Sequence, residues 1–303
     1  MNRNGTSTVW RGAMTAIATP FASDGAVDYE ALRRLVAWQV DSGIHGLVPC
    51  GTTGEGATLD DDEHARVIAT VAETVGGRVP VIAGCGSNDT RRTVAAAKRA
   101  REAGATGLLV VSPYYNKPNR SGMLAHYHAV ADATELPIML YNVPGRTGQN
   151  LGSELILELA RIERIVAVKE ASGNLEQIAA IVESRPSGFG VFSGDDALAL
   201  PTVALGADGL VSVVSNEAPG EIAALLDAAL AGRLDQARAI HYKLLPLMRA
   251  NFLESNPVPV KTALEILGRC SGRVRSPLGP AAASTVDAVR RALRSGGLGT
   301  AGA

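Results

Sequence analysis

The chain is poor in the residues that would assign it to a specialised class of protein. Its 303 residues include only three cysteines, Cys50, Cys85 and Cys270, and an odd, widely spaced set does not build a disulfide framework. The 29 Lys and Arg residues balance the 30 Asp and Glu residues, so charge gives no reason to expect nucleic acid as a partner. No apolar run approaches the roughly 18 residues of a membrane span. These absences favour a globular protein in a reducing compartment.

Signals for export and for metal binding are also missing. The N-terminal segment MNRNGTSTVWRG is polar and lacks the apolar core of a signal peptide, so we expect a cytoplasmic protein with no membrane partner. The five histidines are scattered. The nearest pair, His126 and His128, falls on different faces of a predicted helix, so we expect no metal site.

The main feature of the chain is a series of short apolar runs, each followed by a polar or glycine-rich cluster and a helical pattern. Runs that are apolar nearly throughout predict a parallel sheet covered on both faces. Eight strand–helix units of about 20 to 35 residues favour an α/β fold, the (β/α)8 TIM barrel. The alternative, a doubly wound sheet, has a poor dinucleotide signal, since GCGSND supplies only two glycines. The runs cover residues 13–20, 45–50, 79–85, 107–113, 137–144, 165–172, 190–196 and 209–215.

Beyond the eighth unit, three helical patterns follow with no strand between them. We therefore predict a barrel carrying the active site over residues 1–232, and a C-terminal helical region with a loose tail over residues 233–303. Within that region, Lys261 of NPVPVK is expected to mark the start of a helix.

Chemically useful residues follow several of the predicted strands. Active sites of such barrels lie at the C-terminal ends of the strands, so these positions hold the candidates. One lysine, one arginine, three tyrosines and two adjacent threonines converge there on one rim. They belong to the motifs CGTTGEG, SPYYNKP, YNVPGRT, VKEASGN and SGDD, after strands two, four, five, six and seven.

Lys169 is one of five lysines, against 24 arginines, and it ends an apolar strand. Apolar surroundings disfavour the ammonium form, and a neutral amine can attack a carbonyl to form a Schiff base. The iminium then lets the neighbouring carbon lose a proton and become an enamine. The alternative is that Lys169 reaches solvent or pairs with a carboxylate such as Glu170. The accompanying residues favour the Schiff base.

Schiff-base chemistry needs proton carriers and groups that hold the substrate. Tyr141 and Tyr115 have suitable hydroxyls, and Thr52 or Thr53 can complete a relay. Arg146 suits a carboxylate. The structural alternatives are core tyrosines, threonines that cap the next helix, and a surface ion pair. These residues together predict a barrel enzyme that forms a lysine Schiff base with a small keto acid.

Six motifs give the chain a specific family resemblance. In order and spacing, GTTGE, PYYNKP, YNVPGRT, VKEASGNL, SGDD and NPVPVK resemble the dihydrodipicolinate synthase branch of the N-acetylneuraminate lyase superfamily, from about residue 11 to about residue 290. The resemblance implies condensation of pyruvate with aspartate semialdehyde on the route to diaminopimelate and lysine, without metal or organic cofactor. It also implies a homo-oligomer, a tetramer built as a dimer of dimers.

The resemblance implies a role for each catalytic candidate. Lys169 would bind pyruvate as a Schiff base, and Tyr141, Thr52 and Tyr115 would form the proton relay. Tyr115 would reach into the site of a neighbouring subunit.

It also implies the substrate contacts. Thr52 and Thr53 would hold the carboxylate of pyruvate, and Arg146 would hold that of aspartate semialdehyde. The backbone at Gly194 and Val211 would line the pyruvate site. Sialic acid lyases typically carry Ser-Thr in the loop and lack this arginine. The alternatives are an aldolase that cleaves sialic acid or a 2-keto-3-deoxy sugar acid, and an inert barrel that serves in metabolite binding or assembly.

The residues that bind inhibitory lysine in some family members are only partly present. Arg92 would repel the ammonium group of lysine, so we expect weak or absent feedback inhibition. The alternative is that Asp61 and Arg92 are simply exposed helix residues. His64, Asn88 and Tyr114 match the family, whereas Gly56, Asp61 and Arg92 stand where a serine, a histidine and a glutamate would be.

Overall fold

The computed structural model describes residues 10–299, and its centre is a ring of eight parallel strands. They are β1 Gly12–Thr15, β2 Gly46–Leu47, β3 Ile82–Gly84, β4 Gly107–Val111, β5 Ile138–Asn142, β6 Ile165–Glu170, β7 Gly190–Ser193 and β8 Gly209–Ser212. The sheet runs in chain order from β3 to β8 and continues to β1 and β2. A parallel bridge between Leu47 and Val81 joins its two edges. The predicted (β/α)8 TIM barrel is confirmed.

Helices cover the barrel and continue beyond it. They are α1 Tyr29–Asp41, α2 Asp61–Val75, α3 Thr90–Glu102, α4 Arg120–Asp132, α5 Pro144–Thr147, α6 Gly152–Leu159, α7 Leu175–Ser184, α8 Ala199–Ala204, α9 Pro219–Leu230, α10 Leu234–Ala250, α11 Val258–Ile266 and α12 Ala283–Ser295. In the C-terminal helical region, α12 packs on α10 and α11. Because α10 also packs on α9, the division after residue 232 stays a prediction. Between residues 10 and 299, no helix combines the length and apolar character that crossing a bilayer requires.

Side-chain caps fix where several helices begin. In each case an aspartate or asparagine accepts a hydrogen bond from a backbone N–H of the first turn, which otherwise lacks a partner. Because these helices start directly after the loops at the strand ends, the caps also fix where the loops end. The capping residues are Asp28, Asp60, Asp89, Asn119 and Asn174, for α1, α2, α3, α4 and α7.

Strand side chains alternate between the barrel interior and the layer beneath the helices. The interior cluster includes Met14, Met139 and Phe192, and a larger cluster lies between the strands and the helices. The predicted coverage of both sheet faces is therefore confirmed. The strands are shorter than predicted: β6 ends at Glu170 and β7 at Ser193, because the residues that follow leave the sheet to form loops.

Buried polar side chains tie the loops of the rim together. The Asp196 carboxylate, after β7, accepts hydrogen bonds from the Ser212 hydroxyl and from the Val213 N–H at 2.9 Å. Burial raises the pKa of Asp196, and these hydrogen bonds oppose that shift. Asn216, after β8, donates to the Ala16 carbonyl at 2.8 Å. The loops after β7, β8 and β1 are thus held as one unit.

Glu217 is a buried acid away from the candidate motifs. Its Oε2 accepts a hydrogen bond from Asn251 Nδ2 at 2.9 Å, whereas its Oε1 has no hydrogen-bond partner among residues 10–299. Burial raises the pKa of Glu217 well above its ordinary value, although the bond from Asn251 opposes the shift. At a pH between the unfolded and the folded pKa, the folded chain therefore holds a proton on Glu217 that the unfolded chain releases.

That proton makes stability depend on pH. The contribution of Glu217 is fully present below its unfolded pKa, about 4.3, and is lost as pH rises through the raised folded pKa. Glu217→Gln removes the titration, so only the wild type loses stability as pH rises through this range. We therefore expect the free energy of unfolding of the variant, relative to that of the wild type, to increase by about 1 kcal/mol per pH unit. Urea unfolding at several pH values measures the difference. Glu221→Gln on the half-buried side of α9 is the control, and parallel pH curves for wild type and Glu217→Gln would contradict the assignment.

Candidate active site

Lys169 lies one residue before the end of β6 and points into the barrel. Its sheet neighbours are Tyr141 on β5 and Phe192 on β7, and the residue is only 6% exposed. Glu170 points to the opposite face, where it accepts a hydrogen bond from Asn142 at 2.8 Å. Within residues 10–299, no carboxylate forms an ion pair with the Lys169 amine. Lys169 is therefore neither exposed to solvent nor paired with Glu170.

Tyr141 is the phenol that the structure places beside the amine. Lys169 Nζ lies 4.3 Å from the centre of the Tyr141 ring, and both side chains are buried. The contact follows from the sheet register, which sets these residues side by side on adjacent strands. An amine and a proton-carrying hydroxyl group therefore share the upper end of the barrel interior.

Gly194 borders the lysine side chain, and Val211 lies in the barrel interior. Val211, on β8, belongs to the same interior cluster as Tyr141. Gly194 directly follows β7, and a Cβ atom built there would lie 2.6 Å from Ala171 Cβ and 3.1 Å from Lys169 Cε. A side chain at residue 194 would therefore press on Ala171 and force the Lys169 side chain to shift.

Thr52 and Thr53 occupy a tight turn after β2. The Glu55 N–H donates to the Thr52 carbonyl at 3.1 Å, and the Thr19 hydroxyl donates to the Gly54 carbonyl at 2.6 Å. Thr52 is half-buried and Thr53 is buried. Since Asp60 caps the helix that follows, the threonines are not its caps.

Asn256 joins Thr53 to Arg146. Its Nδ2 donates to Thr53 Oγ1 at 2.9 Å, and its carbonyl accepts a hydrogen bond from the Arg146 guanidinium at 3.2 Å. Arg146 lies on α5, immediately after the strand that carries Tyr141. The two candidate carboxylate-binding groups thus form one connected set. Sequence reasoning assigned no role to Asn256, although it begins the NPVPVK motif that carried part of the resemblance.

Lys261 lies in the first turn of α11, which begins at Val258 within NPVPVK, so the expected helix start is confirmed. Its buried amine donates to the Glu55 carboxylate at 2.7 Å and to the Thr19 carbonyl at 2.9 Å. The sequence did not show these contacts, because a local pattern cannot reveal partners so far away in the chain.

Tyr115 stands apart from the other catalytic candidates. It is 88% exposed, and its backbone has φ +71°, in the left-handed region that non-glycine residues rarely adopt. The neighbouring Tyr114 is also exposed. Within this single chain, the described structure brings together Lys169, Tyr141 and Gly194, and it joins Thr53 to Arg146. Val211 shares the interior cluster of Tyr141, whereas the Tyr115 side chain lies in solvent.

The positions expected to form a regulatory site are occupied by other interactions. A Cβ atom on Gly56 would lie 2.2 Å from the Cys50 carbonyl oxygen, so a serine cannot replace Gly56 without moving the backbone. The exposed Asp61, on α2, forms an ion pair with Arg99 at 2.6 Å. Arg92, on α3, is exposed.

The matching residues are partly engaged as well. The His64 ring is buried and lies 2.7 Å from the Gly84 carbonyl oxygen, and burial lowers the pKa of His64. The Asn88 carbonyl accepts a hydrogen bond from the Asn116 side chain at 2.8 Å. Over the described part of the chain, no cluster of three or more His, Cys, Asp or Glu side chains is arranged to hold a metal ion.

Comparison with known proteins gives one family throughout. The Dihydrodipicolinate synthetase family matches residues 9–295. A 4-hydroxy-tetrahydrodipicolinate synthase of Geotalea uraniireducens (strain Rf4) is 52% identical over 274 residues, which cover 90% of this chain and 94% of that protein. The structure of a dihydrodipicolinate synthase from Thermotoga maritima is similar with a TM-score of 0.93 and 41% identity, covering 96% of this chain and 99% of the other. The structure of the enzyme from Cyanidioschyzon merolae with lysine bound gives the same TM-score, identity and coverage.

The close approach at Gly194 gives a direct test of the site. Gly194→Ala introduces a methyl group against Ala171 and Lys169, so we expect the amine to move and its reaction with a 2-keto acid to slow by about tenfold to a hundredfold. Borohydride trapping of the keto acid on Lys169, followed by intact mass, measures that reaction. Gly279→Ala is the matched control, because a Cβ atom there has no neighbour within 4 Å. Equal trapping in both variants would contradict the proposed geometry.

Proposed function

Because the chain belongs to the dihydrodipicolinate synthetase family, we propose that it catalyses the reaction of a 4-hydroxy-tetrahydrodipicolinate synthase. It condenses pyruvate with L-aspartate semialdehyde in the biosynthesis of diaminopimelate and lysine, and it is a Schiff-base-forming lyase. The observation that carries this proposal is the Lys169 amine, which lies inside the barrel beside Tyr141 and without a carboxylate partner among residues 10–299.

The first half of the reaction activates pyruvate. The Lys169 amine attacks C2 of pyruvate, and loss of water gives an iminium. Proton transfer at this step is the role proposed for Tyr141, with Thr52 and Tyr115 completing the relay. The iminium then accepts the electrons of a C3–H bond as its proton leaves, and the product is an enamine that is nucleophilic at C3. Thr52 and Thr53 are proposed to hold the pyruvate carboxylate.

The second half joins the two substrates. C3 of the enamine attacks the aldehyde carbon of aspartate semialdehyde, and the new alkoxide takes up a proton. The amino group of that substrate then attacks C2, which closes the ring and releases Lys169 as a free amine, so that one water is lost overall. Arg146 is proposed to hold the second carboxylate, since its planar guanidinium can bind two oxygens at once. Gly194 and Val211 are proposed to line the pyruvate site.

A neighbouring subunit is proposed to complete the relay. Tyr115 is exposed in the single chain, as expected for a side chain that inserts into a second copy. We therefore propose a homo-oligomer, a tetramer built as a dimer of dimers, that acts in the cytoplasm. Tyr114, adjacent and also exposed, is proposed to lie at the same contact.

A coupled assay with pyruvate and aspartate semialdehyde tests the function. We expect the wild type to consume both substrates and to gain a covalent pyruvate adduct at Lys169 after borohydride reduction. Lys169→Met removes the nucleophile, so both signals should vanish. Lys98→Met, on the exposed side of α3, is the control and should behave as the wild type.

The same experiment separates the alternatives. An inert barrel acquires no adduct. An aldolase for sialic or 2-keto-3-deoxy sugar acids acquires the adduct but does not condense aspartate semialdehyde, and instead cleaves its own sugar acid. Either result would overturn the proposed reaction.

Feedback by lysine is proposed to be weak or absent. Three features support this: Gly56 has no room for a side chain, Asp61 is paired with Arg99, and Arg92 places a positive charge where a lysine ammonium would have to bind. Like charges at short range repel.

We expect the initial rate to stay unchanged as lysine is titrated through the micromolar range, and the thermal unfolding midpoint to stay unchanged with it. An enzyme from the family that binds lysine, assayed in parallel, is the positive control. Inhibition of the wild type at micromolar lysine would contradict the proposal. A shift of the midpoint without inhibition would show that lysine binds but does not regulate.

A further inference from the structure

Lys261 is a charged side chain with no access to solvent. Its exposure is 0%, and its amine lies 4.1 Å from the centre of the Phe21 ring. The amine donates to Glu55 Oε1 at 2.7 Å and to the Thr19 carbonyl at 2.9 Å. Burial lowers the pKa of Lys261, and the adjacent Glu55 carboxylate opposes that shift. A buried charge persists only where such partners hold it.

Glu55 is the partner that links Lys261 to the rim of the barrel. Its backbone has φ +51°, in the left-handed region that favours glycine, so this conformation needs support from its surroundings. Its second carboxylate oxygen accepts a hydrogen bond from the Arg275 N–H at 2.9 Å. The carboxylate is thus held at both oxygens by the C-terminal region of the chain.

The turn that Glu55 ends is the one that carries the two threonines. The Glu55 N–H donates to the Thr52 carbonyl, and the Thr19 hydroxyl donates to the Gly54 carbonyl. Lys261 binds both Glu55 and Thr19, so one amine holds this turn from two sides. Asn256, on the segment before α11, holds Thr53 as well.

We propose that Lys261 is a positioning residue for the condensation: through Glu55 and Thr19 it holds the turn of residues 52–55 so that Thr52 and Thr53 meet the pyruvate carboxylate. The inference rests on the proposed function, because it needs those threonines to bind pyruvate. Lys261 itself is not placed in contact with substrate. It acts from the far side of the turn, and a buried ion pair gives the turn a single orientation.

A purely stabilising ion pair would leave a different signature. Replacing both members of a buried pair with neutral side chains of similar size often preserves stability, whereas removing one leaves an unpaired buried charge. Lys261→Met with Glu55→Gln therefore separates stability from positioning. We expect this double variant to unfold near the wild-type temperature, yet to need about tenfold or more pyruvate for half-maximal borohydride trapping at Lys169. Trapping at saturating pyruvate should approach the wild-type rate.

The Lys243–Glu221 pair, outside the barrel, is a matched control. Its two charged groups, Lys243 Nζ and Glu221 Oε1, are 4.0 Å apart. Lys243→Met with Glu221→Gln should leave both the unfolding temperature and the pyruvate dependence unchanged. A wild-type pyruvate dependence in the Lys261→Met, Glu55→Gln protein would overturn the proposal, as would a loss confined to the rate at saturating pyruvate.

A second variant and the wild-type result complete the test. If the double variant does not fold, Glu55→Asp, which keeps the buried charge paired but shortens the side chain, carries the same expectation in weaker form, and an unchanged pyruvate dependence there overturns the proposal. If the wild type itself gains no pyruvate adduct, the proposed function fails rather than the positioning role. The two failures are therefore distinguishable.

Discussion

The proposed chemistry depends on the Lys169 amine, which lies inside a closed apolar sheet where no carboxylate among residues 10–299 forms an ion pair with it. A lysine in water is a hydrated cation and a poor nucleophile, and a carboxylate partner would stabilise that cation further. The strand period prevents such a pairing here, because Glu170 is adjacent to Lys169 in sequence but lies on the opposite face of β6. The same period on β5 places Tyr141 beside the amine. Barrel closure thus supplies both the apolar surroundings and the neighbouring phenol.

Much of the fold and part of the candidate site could be predicted from the sequence. Eight apolar runs followed by helical patterns lead to the barrel, and the rule that sites lie at strand ends leads to Lys169, Tyr141 and Gly194. Neither Asn256 nor the pair Glu55–Lys261 could be found in this way. Their contacts join residues 203 and 206 positions apart, and no local periodicity reports a contact at that separation.

Those distant contacts give the C-terminal helical region a part in the site. The barrel supplies the lysine and its phenol, and the turn with Thr52 and Thr53 is held both by its own hydrogen bonds and by distant partners. The segment 256–275 reaches it through Asn256, Lys261 and Arg275. On the proposed roles, a TIM barrel without this segment would keep Lys169 and lose these contacts to the turn that holds Thr52 and Thr53.

The same turn also borders the region where related enzymes would bind an effector. Gly56 follows Glu55 directly and packs against the Cys50 carbonyl, so a side chain at residue 56 would displace the backbone that ends the catalytic turn. An effector residue at this position is therefore hard to combine with the present path of the chain. The proposed weak response to lysine and the tight packing behind the threonines would then both follow from one backbone arrangement after β2, with the charge of Arg92 and the Asp61–Arg99 pair acting in the same direction.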